Sequence, residues 1–298
     1  MPPTAGGSSA HCGAQLRNAG LANAMLRGAG LAHANLRSAD LRSADLRSAD
    51  LQGADLQVAN LTAARLGSAN LNAATLRDGH LSRCDLHQAD LQNADLRHAR
   101  LQGATLDMAD LTGSNLSDAD LCNAALRGAD LQGADLSGAR LRATDFTGAN
   151  LRGAQLRAPL NSAILEGADL RGTYLHGHDL TGARMRGANL SGANLNRVSL
   201  TGADLRDADL SGAQIWYSSL VQADLSGANL MGTLSDDDLL VPGLNSLHMD
   251  GARWNLATEW PPEVYIAIRS RSVAVGEGAF VVAPSRVHDH APVPQPVS

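Results

Sequence analysis

Leucine returns at every fifth residue from Leu16 to Leu156, with Phe146 the one replacement. The spacing then shortens by one residue to reach Leu160, and the beat of five resumes to Leu230, with Met185 and Ile215 substituting. There are 29 units before the slip and 15 after it, 44 in all. Two residues before each leucine the chain is nearly always alanine, and the residue just before it is often Asp or Asn. The next position is polar and the one after is small, often Gly. A period of five fits neither an α-helix at 3.6 nor a flat strand at 2. A small and a large apolar position two residues apart predict a short extended segment with both side chains inward. Gly, Ser, Asn and Asp then supply a sharp corner. The unit Leu156-Arg157-Ala158-Pro159 lacks only its corner residue, so a tightened corner is expected there and no domain break.

The units Ala39-Asp40-Leu41-Arg42-Ser43 and Ala129-Asp130-Leu131-Gln132-Gly133 follow A(D/N)Lxx. Over residues 14–234 the chain resembles the pentapeptide-repeat family of the Leu type. The resemblance implies an all-β fold, a right-handed quadrilateral β-helix with four repeats per coil, here about 11 coils with a short C-terminal cap. At about 4.8 Å between paired strands the rod is about 50 Å long. Each coil then seals a column of leucines against its neighbours, each leucine contributing about 2 kcal/mol.

Twenty residues per coil turn the sequence into a surface map. Counting the leucine as zero, one −1 column reads Asp50, Asn70, Asp90, Asp110, Asp130, Asn150, Asp169, Asn189, Asp209, Asn229. Local bonds from Asp or Asn to the corner backbone explain such a column. Yet stacked carboxylates about 5 Å apart repel by about 1 to 3 kcal/mol, so Asp90, Asp110 and Asp130 in succession ask for a further reason. Between residues 86 and 136 eight Asp, including Asp95, Asp107 and Asp135, stand against three Arg. Asp50, Asp90, Asp95, Asp107, Asp110, Asp130 and Asp135 are therefore the candidate partner-binding patch. The adjoining +1 column runs Arg17, Arg37, Gln57, Arg77, Arg97, Ser117, Ser137, Arg157, His176, Asn196, Trp216. Tyr174, Trp216, Tyr217 and Trp254 are candidate interface aromatics in a chain only 3% aromatic. Packing beneath the cap is the competing reading of these rings.

Four segments are expected: a flexible N-terminus at 1–13, the solenoid at 14–234, a cap at 235–282 and a disordered Pro-rich tail at 283–298. Ser235 followed by Asp236, Asp237 and Asp238 reads as a helix start running to Val241. Gly251-Ala252-Arg253-Trp254 reads as one degenerate repeat, and with Thr258-Glu259-Trp260-Pro261 it resembles the terminal segment of many bacterial members. A cap is required physically, because an open last coil exposes apolar side chains and unpaired edges.

Composition narrows the function. All 24 basic residues are Arg, a hint of a GC-rich bacterial genome, and the net charge of −6 nominates no partner by itself. Cys12, Cys84 and Cys122 show no ligand spacing and fit a reducing cytoplasm. The N-terminus lacks the features of a signal peptide, and no apolar run is long enough to span a membrane. No phosphate loop, CxxC or HExxH occurs. His176-Gly177-His178 is the nearest approach to a ligand pair, but its members point to opposite sides of the wall. Cys84 sits at an inward alanine position. These readings exclude an enzyme and assign no metal or cofactor.

The expectation is a non-catalytic protein-binding scaffold. Some family members bind DNA gyrase in place of DNA and confer quinolone resistance, so a gyrase-binding DNA mimic is the alternative. The near-balanced charge and the leucine-only interior weigh against it. A third reading binds an acidic ligand or a membrane surface through Arg17, Arg37, Arg77 and Arg97. No direct nucleic-acid partner is expected, and the resemblance implies a homodimer through the C-terminal end, with Trp216, Tyr217 and Trp254 in the contact.

Overall fold

The computed structural model describes residues 13–160, 162–233 and 248–284. The helix expected from Ser235 to Val241, Cys12, and the tail beyond residue 284 lie outside the described residues. From Gly13 to Thr233 the chain is a parallel stack in which a bridged residue pairs with the one twenty ahead, as in Gln15 with Asn35 and Asp110 with Asp130, or nineteen ahead across the slip, as in Asp145 with Ile164 and Asn150 with Asp169. A bridge falls every five residues, so each coil has four short sides.

The local reason lies in the corner. The amide of the alanine donates to the carbonyl of the preceding leucine, as from Ala134 to Leu131 at 3.0 Å. The residue before that alanine has positive φ in the units outside the slip, 68° at Gly133 and 60° at Val58. This is the pattern of a type II turn, which Gly, Asn and Ser adopt readily and which is strained at β-branched Val58. Between corners, the leucine amide donates to the coil above and the −1 amide to the coil below, as in Leu131 to Asn150 and Asp130 to Ala109. Every side therefore forms hydrogen bonds along the rod axis.

Alanine and leucine columns fill the interior, and Leu131 and its neighbours in the stack are fully buried. Hydroxyl residues that replace alanine are satisfied by carbonyls one coil down or in their own turn: Thr144 donates to Leu121, Ser218 to Leu195 and Thr173 to Leu170. Ser114 is the exception, a buried hydroxyl without a partner among the described residues.

At the slip the core is continuous through Leu156, Ala158 and Leu160. The ladder is not. Among the described residues no bridge joins Arg140 to Pro159, Gln155 to Tyr174 or Pro159 to Asp179. Proline has no amide to give. His178, at an alanine position, fills part of the gap: its ring lies between the carbonyls of Leu175 and Leu156.

The stack also runs further than the beat of leucines. His248, Arg253 and Glu259 bridge to Ser219, Asp224 and Asn229, so three more sides form with Met249, Trp254 and Trp260 at the inward position. On them sit β1 (Arg253–Asn255), α1 (Pro262–Arg271), β2 (Ser272–Gly276) and β3 (Ala279–Val282), the strands in the order β1-β3-β2. Val264 and Ile268, four residues apart on α1, are buried against this end.

Candidate functional site: an acidic side and an aromatic side

On the Asp50 side, Oδ1 of each Asp accepts the backbone amide two residues on: Gln52 to Asp50 at 3.2 Å, Gln92 to Asp90 at 3.0 Å, Thr112 to Asp110 at 3.0 Å and Gln132 to Asp130 at 2.9 Å. The column is thus part of the corner, as local bonding requires. Where Asp alternates with Asn, the amide relieves the carboxylate one coil below it. Asn70 donates to Asp50 and Asn150 to Asp130, each at 3.0 Å. Asp90, Asp110 and Asp130 stack directly on one another through consecutive bridges. Gln92 donates to Asp110. Partial burial pushes the Asp110 carboxyl up, but hydrogen bonds from Thr112 and Gln92 outweigh it and hold it below the ordinary value.

What marks the middle of this side is three stacked carboxylates in succession without a cation. Among the described residues no arginine pairs with Asp50, Asp90, Asp110 or Asp130. At the same position on other sides several acids are neutralised, Arg42 on Asp40, Arg47 on Asp45 and Arg140 on Asp120 at 2.5 to 2.6 Å, while Asp55, Asp85 and Asp135 have no ion pair among the described residues. Further along the Asp50 side itself Arg171 holds Asp169 at 2.5 Å. The seven predicted acids do not converge on one side. Asp95 and Asp135 lie on the neighbouring side, Asp95 held by Arg97 at 2.6 Å. Asp107 is on a third side and accepts the amide of Arg127 at 2.9 Å. The Arg17 column is likewise no continuous basic strip, since Arg97 is paired and Arg77 reaches Asp78 at 3.6 Å.

The aromatics sort differently from the expectation. Tyr174, His176, Trp216 and Tyr217 share the Gln15 side across the last three complete coils. Tyr174 and Tyr217 are 58% and 64% exposed, and Trp216 is half-buried. Tyr174 stacks on His176, centroids 5.9 Å apart, and the Arg197 guanidinium lies 5.8 Å over Tyr217. Trp254 does not belong with them. It occupies the inward position above Leu225 and is buried, stacked on Phe280 at 4.4 Å and edge-on to Trp260 and Tyr265. Its indole N–H donates to Ser272 Oγ at 2.9 Å. A ring on the repeat's leucine position points inward whatever its polarity, and that corrects its assignment as an interface residue.

Other reactive groups are occupied or sealed. Burial pushes the Cys84 thiol up, away from the nucleophilic thiolate. Among the described residues no three His, Cys, Asp or Glu stand together as a metal site. No helix there is long and apolar enough to cross a membrane. The spacing of the aromatics was legible from the sequence; the Arg197–Tyr217 pair and the Gln92 donor were not, because each depends on a side chain's reach.

Eight copies of the profile described as pentapeptide repeats match between residues 12 and 233. The chain belongs to the pentapeptide repeat family. No curated protein matches it. Among solved structures it is similar to HetL, a pentapeptide repeat protein involved in heterocyst differentiation regulation from the cyanobacterium Nostoc sp. strain PCC 7120. That match is 34% identical, covers 72% of this chain and 88% of HetL, and has a TM-score of 0.37. It is also similar to a trypsin-treated form of QnrB1, a plasmid-mediated fluoroquinolone resistance protein. Here identity is 18%, with 70% of this chain and 90% of that one covered and a TM-score of 0.36.

Proposed function

We propose that the protein is a non-catalytic, right-handed four-sided scaffold of about 11 coils that binds another protein through its Asp50 side. The observation behind this reading is the run Asp90, Asp110 and Asp130, carboxylates fixed at the corner and left without arginine. Repulsion within that run costs stability, and a basic partner surface recovers the cost on binding. Cross-linked partners recovered with the wild type and lost with Asp90→Asn/Asp110→Asn/Asp130→Asn support the reading. The same partners recovered with both sink it.

A second reading follows from the same run: a DNA mimic that occupies gyrase. The regular spacing of its charges along the rod favours it, while the arginine pairs on the other sides weaken it. A supercoiling assay with a fluoroquinolone decides. Protection by the wild type alone establishes mimicry, and no effect from either protein removes it.

Self-association at the C-terminal end is part of the same proposal, now without Trp254. Val273 and Val275 are exposed on the edge strand β2, and Leu256 and Ile266 are exposed elsewhere on the same cap. Light scattering should give a dimer that Val273→Asp/Val275→Asp reduces to a monomer. A wild type already monomeric excludes it.

A further inference from the structure

We infer that the aromatic side is a docking surface for an extended proline-rich segment, and that its occupant is the chain's own residues 285–298. From Gln155 to Tyr217 this side carries Tyr174, His176, Trp216, Tyr217, Arg157 and Arg197, together with Asn194, Asn196 and Gln214, and no carboxylate. Arg157 and Arg197 have no ion pair among the described residues. Exposed rings interleaved with amide and guanidinium donors are what a polyproline II segment requires, because its rings stack and its carbonyls remain free to accept.

The spacing fits as well. Tyr174 and Trp216 lie two coils apart, about 9.6 Å along the rod. One polyproline turn advances about 9.3 Å, so residues three apart meet successive rings. Residues 291–297 read Ala-Pro-Val-Pro-Gln-Pro-Val, in which Ala291 and Pro294, or Val293 and Pro296, have that separation. Beside Tyr174 the slip opens a groove of about 250 Å³, lined by Gly153, Gln155, Leu156, Arg157 and Thr173.

The route of the chain selects this occupant. β3 runs antiparallel to the last coil, with Val282 hydrogen-bonded to Gly251 and Ala252. The chain thus leaves Pro284 heading back toward His248, which bridges to Ser219. Ser219 stands two residues after Tyr217, at the corner where the aromatic side begins. The fourteen residues that follow Pro284 extend to about 43 Å as polyproline II, enough to pass from the cap beyond Tyr174.

The test uses the full chain labelled with 5-fluorotryptophan, the Trp216 fluorine line being assigned from Trp216→Phe. In Pro292→Ser/Pro294→Ser/Pro296→Ser the Trp216 line should move and gain the solvent isotope shift of an open indole, while those of Trp254 and Trp260 stay. Three unmoved lines overturn the proposal. A Trp216 line that shifts on tenfold dilution of the wild type assigns the segment to a second copy and also overturns it. In the reciprocal arm, trypsin cleavage after Arg286 should quicken at least threefold in Trp216→Ser/Tyr217→Ser, with an unchanged melting temperature; an equal rate counts against docking. The Asp90, Asp110 and Asp130 variant leaves the Trp216 line in place, so failure of the acidic-side proposal and failure of this one are distinguishable.

Discussion

The rod and its cap close the same kind of interior by opposite means. Between Leu31 and Leu230 the inward positions hold leucine over leucine, and small residues separate them. At the C-terminal end the inward columns of three sides continue into Met249, Trp254 and Trp260, and Phe280, Val264 and Ile268 are buried with them. In the rod each side chain is sealed by copies of itself one coil away. The last coil has no copy to lean on, and interlocking aromatic shapes take over. Repetition supplies stability in proportion to length, whereas termination needs a particular fit.

A charge in the middle of the rod tests that contrast most severely. Leu131→Asp should cost about 5 kcal/mol, since the carboxylate has no partner inside and both adjoining coils lose their seal. Thermal unfolding should then split into two transitions, one for each flank. Trp254→Ala should cost about 4 kcal/mol and act locally, loosening α1 and the β2–β3 hairpin while the rod keeps its hydrogen-exchange protection. Uniform loss of protection in that variant would show that cap and rod are one cooperative unit. His178→Ala should cost about 1 to 2 kcal/mol, because the carbonyls of Leu156 and Leu175 lose the ring between them. Denaturant melts read this directly, and exchange should quicken in residues 154–160 first.

Acid provides a smaller handle on the rod alone. Hydrogen bonds from Arg47 hold the Asp45 carboxyl at about 2, below the value of about 3.9 in an unfolded chain. A depressed carboxyl contributes stability that is complete above the unfolded value and fades as pH falls toward about 2. The melting temperature of the wild type should therefore approach that of Asp45→Asn between about pH 4 and pH 2. A gap that stays constant would mean the pair does not titrate as described. The smallest change goes the other way. Ser114→Ala removes a buried hydroxyl without a partner and should stabilise the rod by about 1 kcal/mol, measured by the same denaturant melts.

The rod was legible because its signal is written 44 times, and even the slip at Leu156 could be placed to the residue. The degenerate repeat at Gly251-Ala252-Arg253-Trp254 also lies in the stack, with Ala252 and Trp254 inward. The cap's helix was not anticipated, although Pro262 in its first turn and Val264 with Ile268 carry a helical spacing. Fewer than three turns of ordinary composition are too short for periodicity to stand out beside a repeat so strong. On the surface, columns could be read but pairings could not. Arg42 folds back onto Asp40 in its own unit, while Arg127 spans two coils to reach Asp107 and Asp145. The same arginine position neutralises different acids, so a charge count along the sequence placed more acid in the open than the folded rod presents.

Away from the slip, the bridges between residues twenty apart make the rod a ruler with an angular scale. Inserting or removing twenty residues changes its length by one coil, about 4.8 Å, and leaves every side facing as before. Removing five instead carries everything downstream onto the neighbouring side. Trp216 and Asp90 could thus be re-aimed relative to each other by gene rearrangements of fifteen nucleotides, without altering a single contact inside either patch.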